Sequence, residues 1–272
     1  RILAYVLPVN ALTMAITAAQ RGIGNTRITM VVNIVANLVN VVFNFLLIEG
    51  HFGFPRLGVA GAAIATAIGF CVGFVLSIWS VRRKDCFLHL SFRANWRLDK
   101  ATCASIAKLG GNACLEQVAL RIGFFTFARI VADLGTLSFA THQICQQFLN
   151  LSFSFGDGLG VAGTSLVGQY LGRKRSDLSV MFGKVTQRVA LVVSMVLLIF
   201  FVVFRHPLVG LFNSDPAIIA LGGQVMIIAA IFQPFQTSSV VISGCLRGAG
   251  DTRFVARIML LCVAILRPIL AW

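Results

Sequence analysis

The chain has 272 residues, 58% of them hydrophobic and 12% charged, with a formal net charge of +14 and a mean hydropathy of +0.89. Soluble domains carry roughly 25% charged residues, so the composition excludes a water-soluble globular domain. The positive charge invites a nucleic-acid partner, but its placement along the chain speaks against one.

The first apolar run covers residues 2–19, and a glycine-rich loop and a second run at 28–48 follow. Residues 49–57, with Gly50, Gly53 and Pro55, read as a turn. A third run at 58–79 is crowded with glycine and alanine, which lets membrane helices approach closely. The longest polar stretch, 82–100, reads as a linker. Beyond it come runs at 108–131, 137–171, 189–204, 218–246 and 254–272. The 137–171 run exceeds one span, so Gly156, Gly158, Gly160 and Gly163 in its middle suit a bend or a close approach. A turn is expected at Asn213-Ser214-Asp215-Pro216. Each run approaches the roughly 20 residues that a bilayer-crossing helix needs, and the alternating short strands of a membrane barrel are not seen. The expectation is an all-α, polytopic transmembrane helix bundle of about eight helices. The chain opens and closes inside apolar runs without an initiator methionine or a signal-peptide pattern, so an internal stretch of a longer protein is expected.

The loops alternate in charge. Those at 21–27, 82–108, 173–188 and 247–257 hold 17 of the 23 lysines and arginines, whereas the intervening loops hold only Arg56 and Arg205. This is the bias of a membrane protein whose basic loops lie in the cytoplasm, so no nucleic-acid partner is expected. The seven cysteines show no C-x-x-C spacing and read as free thiols, mostly buried among helices, with no zinc site.

Arg21-Gly22-Ile23-Gly24-Asn25-Thr26-Arg27 returns as Arg247-Gly248-Ala249-Gly250-Asp251-Thr252-Arg253, identical at five of seven positions, 226 residues later. A proline stands 13 residues before each copy, Pro8 and Pro234. The chain therefore reads as parts of two homologous halves. With no strand before them and no P-loop lysine, the loops read as tight turns, with Asn25 or Asp251 capping the next helix. The prolines sit mid-helix, where they free a carbonyl and kink the chain, as matched hinges or as static bends.

Polar groups inside the apolar runs are the candidates for chemistry. Asn33, Asn37, Asn40 and Asn44 are spaced to share one helix face. Facing lipid, each amide would cost a few kcal/mol, so they join helices or line a polar pathway. Glu116 reads as an acid inside an apolar helix; burial disfavours a lone carboxylate's charge, which suits proton exchange. The alternative is a structural partner for Arg121, or a place near the cytoplasmic end. Arg121 itself could line a cavity. Asp157, among glycines, could meet water or a cation, or merely mark a bend. His142 and Gln143, with Gln146 and Gln147, form a polar patch. Arg129 and Asp133, four apart, read as a local ion pair. No nucleophile–base spacing points to an enzyme.

Several stretches together resemble the multidrug and toxic compound extrusion (MATE) transporters. They are Arg21–Arg27 with Asn40 and Asn44, Phe52-Gly53-Phe54-Pro55-Arg56-Leu57-Gly58-Val59-Ala60-Gly61-Ala62-Ala63, Ala140-Thr141-His142-Gln143-Ile144, Ser165-Leu166-Val167-Gly168-Gln169-Tyr170-Leu171-Gly172 and the turn at 246–252. The resemblance implies two pseudo-symmetric six-helix lobes, with residues 1–95 as the end of the first lobe plus linker and 96–272 as most of the second. It implies export of small organic, often cationic, compounds across the inner membrane, driven by Na+ or H+, by a monomer that needs no cofactor beyond that ion. Where several branches carry an acid in helix 10, this chain has Gln236, and Gly110-Gly111-Asn112 stands where many have Gly-Leu-Pro. The helix 7 acid of some sodium-coupled members lies about a turn deeper than Glu116. A helix 1 aspartate used by another branch falls outside the chain. The alternatives are a flippase for lipid-linked glycans, for which Arg121 is the only hint, and a membrane scaffold without a transport cycle.

Overall fold

The computed structural model describes residues 2–51, 55–82, 99–133, 135–212, 215–266 and 269. Among them are nine α-helices and no strand: α1 (Ile2–Ile23), α2 (Thr26–Ile48), α3 (Val59–Arg82), α4 (Lys100–Asp133), α5 (Thr136–Gly172), α6 (Ser176–Val203), α7 (Arg205–Gly210), α8 (Pro216–Gly248) and α9 (Thr252–Met259). A π-helical stretch, Leu260–Leu266, continues α9. The chain divides into two compact units, Arg1–Arg97 and Leu98–Trp272. In the first, α3 packs on both α1 and α2. In the second, α5 lies along α8, α6 covers both, and α4 packs chiefly on α9 and the π-helical stretch, touching α5 far less.

Five helices (α1, α2, α3, α6 and α8) are long and apolar enough to cross a membrane. Their interiors are built from small and polar residues. The buried face of α3 is Gly61, Ala65, Gly69, Gly73 and Ser77, one residue per turn. On α8, Gly222, Gly223, Ala230, Thr237 and Gly244 are buried, while Phe232 and Phe235 are 62% and 72% exposed. Lipid supplies no hydrophobic drive between helices, so close backbone contact and hydrogen bonding must hold them. The glycines of the long α5 serve such contact: Gly156 faces Thr237, Gly160 the backbone at Val240, and Gly163 the Cys245 thiol.

The duplicated turns have one geometry. Gly24 and Gly250 sit at φ +95° and +90°, a conformation open to glycine at little cost. In each turn two backbone bonds close a Schellman cap: Gly24 N–H to Arg21 O at 2.9 Å and Asn25 N–H to Gln20 O at 3.0 Å, then Gly250 N–H to Arg247 O at 3.0 Å and Asp251 N–H to Leu246 O at 3.0 Å. The expected side-chain cap forms only in the second copy, where Asp251 accepts from Phe254 N–H; Asn25 makes none.

Three other expectations change. Residues 205–210 form a short helix rather than a loop, Pro207 falling in its first turn, where a missing N–H costs nothing. Helix α4 starts at Lys100 because Asp99 accepts from Ala101 and Thr102 N–H and from the Thr102 hydroxyl. Those bonds, the Thr102 hydroxyl first, hold the Asp99 carboxyl below its usual range. Of the described cysteines only Cys145 is buried; Cys71, Cys103, Cys114 and Cys262 are exposed. The linker and part of the Asn213–Pro216 turn lie outside the described residues, although Asp215 caps α8 by accepting from Ala217 N–H.

Candidate functional site

Within the first unit, Gly69 lets α2 come so near that a Cβ there would stand 3.0 Å from Ala36 O and 3.2 Å from the Asn40 Cβ. This approach carries the asparagine face of α2 up to α3. Beside the contact the helices part, leaving a cleft of about 230 Å³ lined by Asn10, Thr13, Asn33, Asn37, Asn40 and Thr66 with Val32, Ala36, Gly69, Phe70 and Gly73. The asparagine stripe divides between joining helices and lining the cleft. Asn44 donates to Asn40 Oδ1 at 3.0 Å, Asn40 donates to Thr66 Oγ1 at 3.3 Å, and Thr66 donates to Ala62 O at 2.9 Å, so the lower pair joins α2 to α3. Asn33 and Asn37 are exposed, and beyond one bond from Asn37 to Asn33 O at 2.9 Å they leave amide groups to the cleft. Asn10, Thr13 and Thr66 complete this wall. Their signal in the sequence was weak, because one asparagine and two threonines on separate helices form no periodic pattern.

Replacing Asn40 by leucine should orphan the Asn44 amide and remove the bond to Thr66. An unpaired buried polar group costs about 1–3 kcal/mol, so the thermal midpoint of the full-length protein in detergent should drop clearly. Asn33→Ala, which breaks no interhelical bond, should leave it within error.

In the second unit, Glu116 is 4% exposed, on the buried face of α4 with Ala119 and Gly123. Its partner is not Arg121. Glu116 Oε1 lies 3.7 Å from Nη1 of Arg247, in the second duplicated turn. Four residues further back on α4, Asn112 donates to Thr252 Oγ1 at 3.0 Å. Glu116 thus sits level with the end of α8, at the basic-loop end of the bundle rather than midway along it. Helix α4 begins at Lys100, so Glu116 is midway along its own helix yet level with the end of α8. Arg121 is exposed and makes no ion pair among the described residues.

The remaining candidates disperse. His142 is half-buried, its ring tilted against Phe127 at 5.4 Å. Gln143, Asp157 and Gln236 are exposed. Pro234 is buried inside α8 and Pro8 exposed inside α1. Arg129 and Asp133, both exposed, do not pair. Two buried glutamines were not foreseen: Gln20 donates to Ser80 Oγ at 2.6 Å and Gln233 to Ser152 Oγ, each tying two helices. Among the described residues no group of three or more His, Cys, Asp or Glu could hold a metal ion.

Apolar helices around amide-lined interiors, with a duplicated basic turn, define a multi-pass membrane protein with a polar recess inside its helices. The chain belongs to the MatE family, which it matches over residues 1–46 and 113–272. It is 35% identical over 250 residues to the probable multidrug resistance protein NorM of Shewanella oneidensis, covering 90% of this chain and 54% of that protein. To the multidrug resistance protein MdtK of Yersinia enterocolitica it is 33% identical over 242 residues, 86% of this chain and 51% of that one. The chain thus spans about half the length of these relatives. An outward-facing multidrug resistance MATE family transporter of the MOP superfamily shares the fold at a TM-score of 0.92 and 17% identity, over 100% of this chain and 60% of that one.

Proposed function

We propose that the full-length protein is a cation-coupled antiporter that exports organic, often cationic, compounds by alternating access, from an inner membrane with its basic loops in the cytoplasm. The observation that carries this reading is the polar cleft of the first unit. Asn10, Asn33 and Asn37 hold neutral donors and acceptors open inside helices apolar enough to span lipid. A scaffold would close such groups on one another, since each open amide costs free energy in a bilayer. A passage needs them, because its cargo must exchange water for protein groups and back again. The names of the relatives, multidrug resistance proteins, support the substrate class. Pro8 and Pro234, matched in the two repeats, are proposed as bends about which the helices rearrange. A coupling ion can shift the inward and outward populations only by its differential affinity for them.

The test uses the full-length gene in a bacterium lacking its own drug pumps. Cells loaded with ethidium are given an imposed sodium gradient, then an imposed proton gradient. Efflux several-fold above empty-vector cells under one of the two is expected and names the ion. No efflux under either, with the protein shown in the membrane, overturns the reading in favour of a glycan-lipid flippase or a narrow substrate.

A further inference from the structure

Helix α5 has 37 residues yet is not among the helices apolar enough to cross a membrane, although α6 and α8, which pack on it, are. The reason is one face. Gln143, Gln147, Asn150, Ser154 and Asp157 recur at spacings of 4, 3, 4 and 3, the repeat of a single helical stripe, and all five are exposed. The stripe runs about 21 Å along the axis at 1.5 Å per residue. It lies away from the packed face of Thr141, Cys145, Ser152, Gly156, Gly160 and Gly163. It is also distinct from the apolar flank, where Leu151 and Phe155 are 53% and 51% exposed. Among the described residues no side chain partners Asp157, and α4 contributes little cover because it packs mainly on α9. A carboxylate and three amides are too costly against hydrocarbon, so this face turns to polar surroundings rather than to lipid.

We propose that the Gln143–Asp157 face of α5 is the wall of an aqueous chamber in the second unit and that Asp157 is the charged contact for a singly charged organic cation. The inference rests on the transporter reading for its ligand. The stripe carries one full charge, so it balances one positive charge. The rest of its length is neutral amide and hydroxyl, which accept and donate hydrogen bonds without adding charge. A bare metal ion needs oxygen ligands converging on one point, whereas these groups are strung along a helix. An extended organic cation fits that layout, its charge at Asp157 and its body along the amides. Gly158, with open space where a side chain would stand, leaves the surface beside Asp157 clear.

Binding and solvent access test this without transport. In the full-length protein in lipid nanodiscs, Asp157→Asn should weaken ethidium binding at least tenfold, while Asp157→Glu stays within about threefold of the parent. Binding of Nile red, an uncharged dye, should not change in either. In a cysteine-free background, Asn150→Cys and Ser154→Cys should react with a sulfonated, membrane-impermeant maleimide, and Leu151→Cys and Phe155→Cys should resist it. Unchanged ethidium binding in Asp157→Asn, or equal loss for both dyes, overturns the ligand assignment. Equal labelling of the two flanks overturns the chamber. If ethidium binds through Asp157 but no gradient drives its export, the antiporter reading fails and this one stands.

Discussion

Replacing Gly244 by leucine should leave almost no folded protein in the membrane. Gly244 of α8 lies against α5 so closely that a Cβ would be driven into the backbone of Gly160. One turn on, Gly248 meets the backbone of Thr164 in the same way. Backbone cannot swing aside as a flexible side chain can, so the two helices would have to separate. Separation would also break the bond of 2.7 Å from Thr164 Oγ1 to Gly244 O and the bond from Gln233 to Ser152. Since α5 and α8 make the most extensive helix pair in the unit, the loss would fall on the whole bundle. Overpacking of a tight core costs about 1–3 kcal/mol where side chains can shift; a clash with fixed backbone exceeds that and takes up most of the roughly 5–15 kcal/mol that keeps a domain folded. The check is the yield of monodisperse protein from solubilised membranes. The control is Gly110→Ala in α4, where nothing lies within 4 Å of the added methyl. Alanine there should leave the yield unchanged or raise it, since it favours a helix over glycine by about 1 kcal/mol. Normal yield of Gly244→Leu would mean that the α5–α8 contact is not what holds this unit together.

The elements of the fold were legible because membrane helices announce themselves by composition, and the duplicated turn by identity of sequence. Gly24 and Gly250 could be assigned to tight turns because few other residues replace glycine in that backbone. What the sequence hid is pairing across helices. The asparagine stripe of α2 was visible, as four amides on one face; that Thr66 accepts from one of them, and Asn10 and Thr13 face the others, depends on where glycines of α3 let the helices touch. For Glu116 the sequence left two places open, inside an apolar helix or near the basic-loop end, and choosing between them needed its contact with Arg247 on another helix. The stripe on α5 was only half visible: Gln143 and Gln147 were read as one polar patch and Asp157 apart from it, and their common face emerges once Asn150 and Ser154 join them on one continuous helix.

The second large effect is expected at Arg247. Arg247→Met should lower the thermal midpoint more than Glu116→Gln, and the two together less than the sum of both. Glu116 is 4% exposed and its carboxylate has Arg247 as its ionic partner at 3.7 Å, whereas the Arg247 side chain is 33% exposed. Removing the arginine leaves a buried carboxylate without compensation, a loss of about 3–5 kcal/mol for a buried pair. Removing the acid leaves an arginine that still reaches water and still donates from Nε to Ser243 O at 3.3 Å. Its cost should therefore be nearer the 1–3 kcal/mol of an altered hydrogen bond. In the double variant neither charge remains, so the coupling term of the mutant cycle should be large and favourable. The pair's position explains why it matters: with Asn112 and Thr252 it fastens α4 to the turn between α8 and α9, while α4 has little hold on α5. On this account Glu116 is a clamp, and gradient-driven efflux should fall only as far as folded protein falls. The opposite pattern, Glu116→Gln melting like the parent yet losing efflux under an imposed ion gradient, would move Glu116 from the clamp to ion coupling.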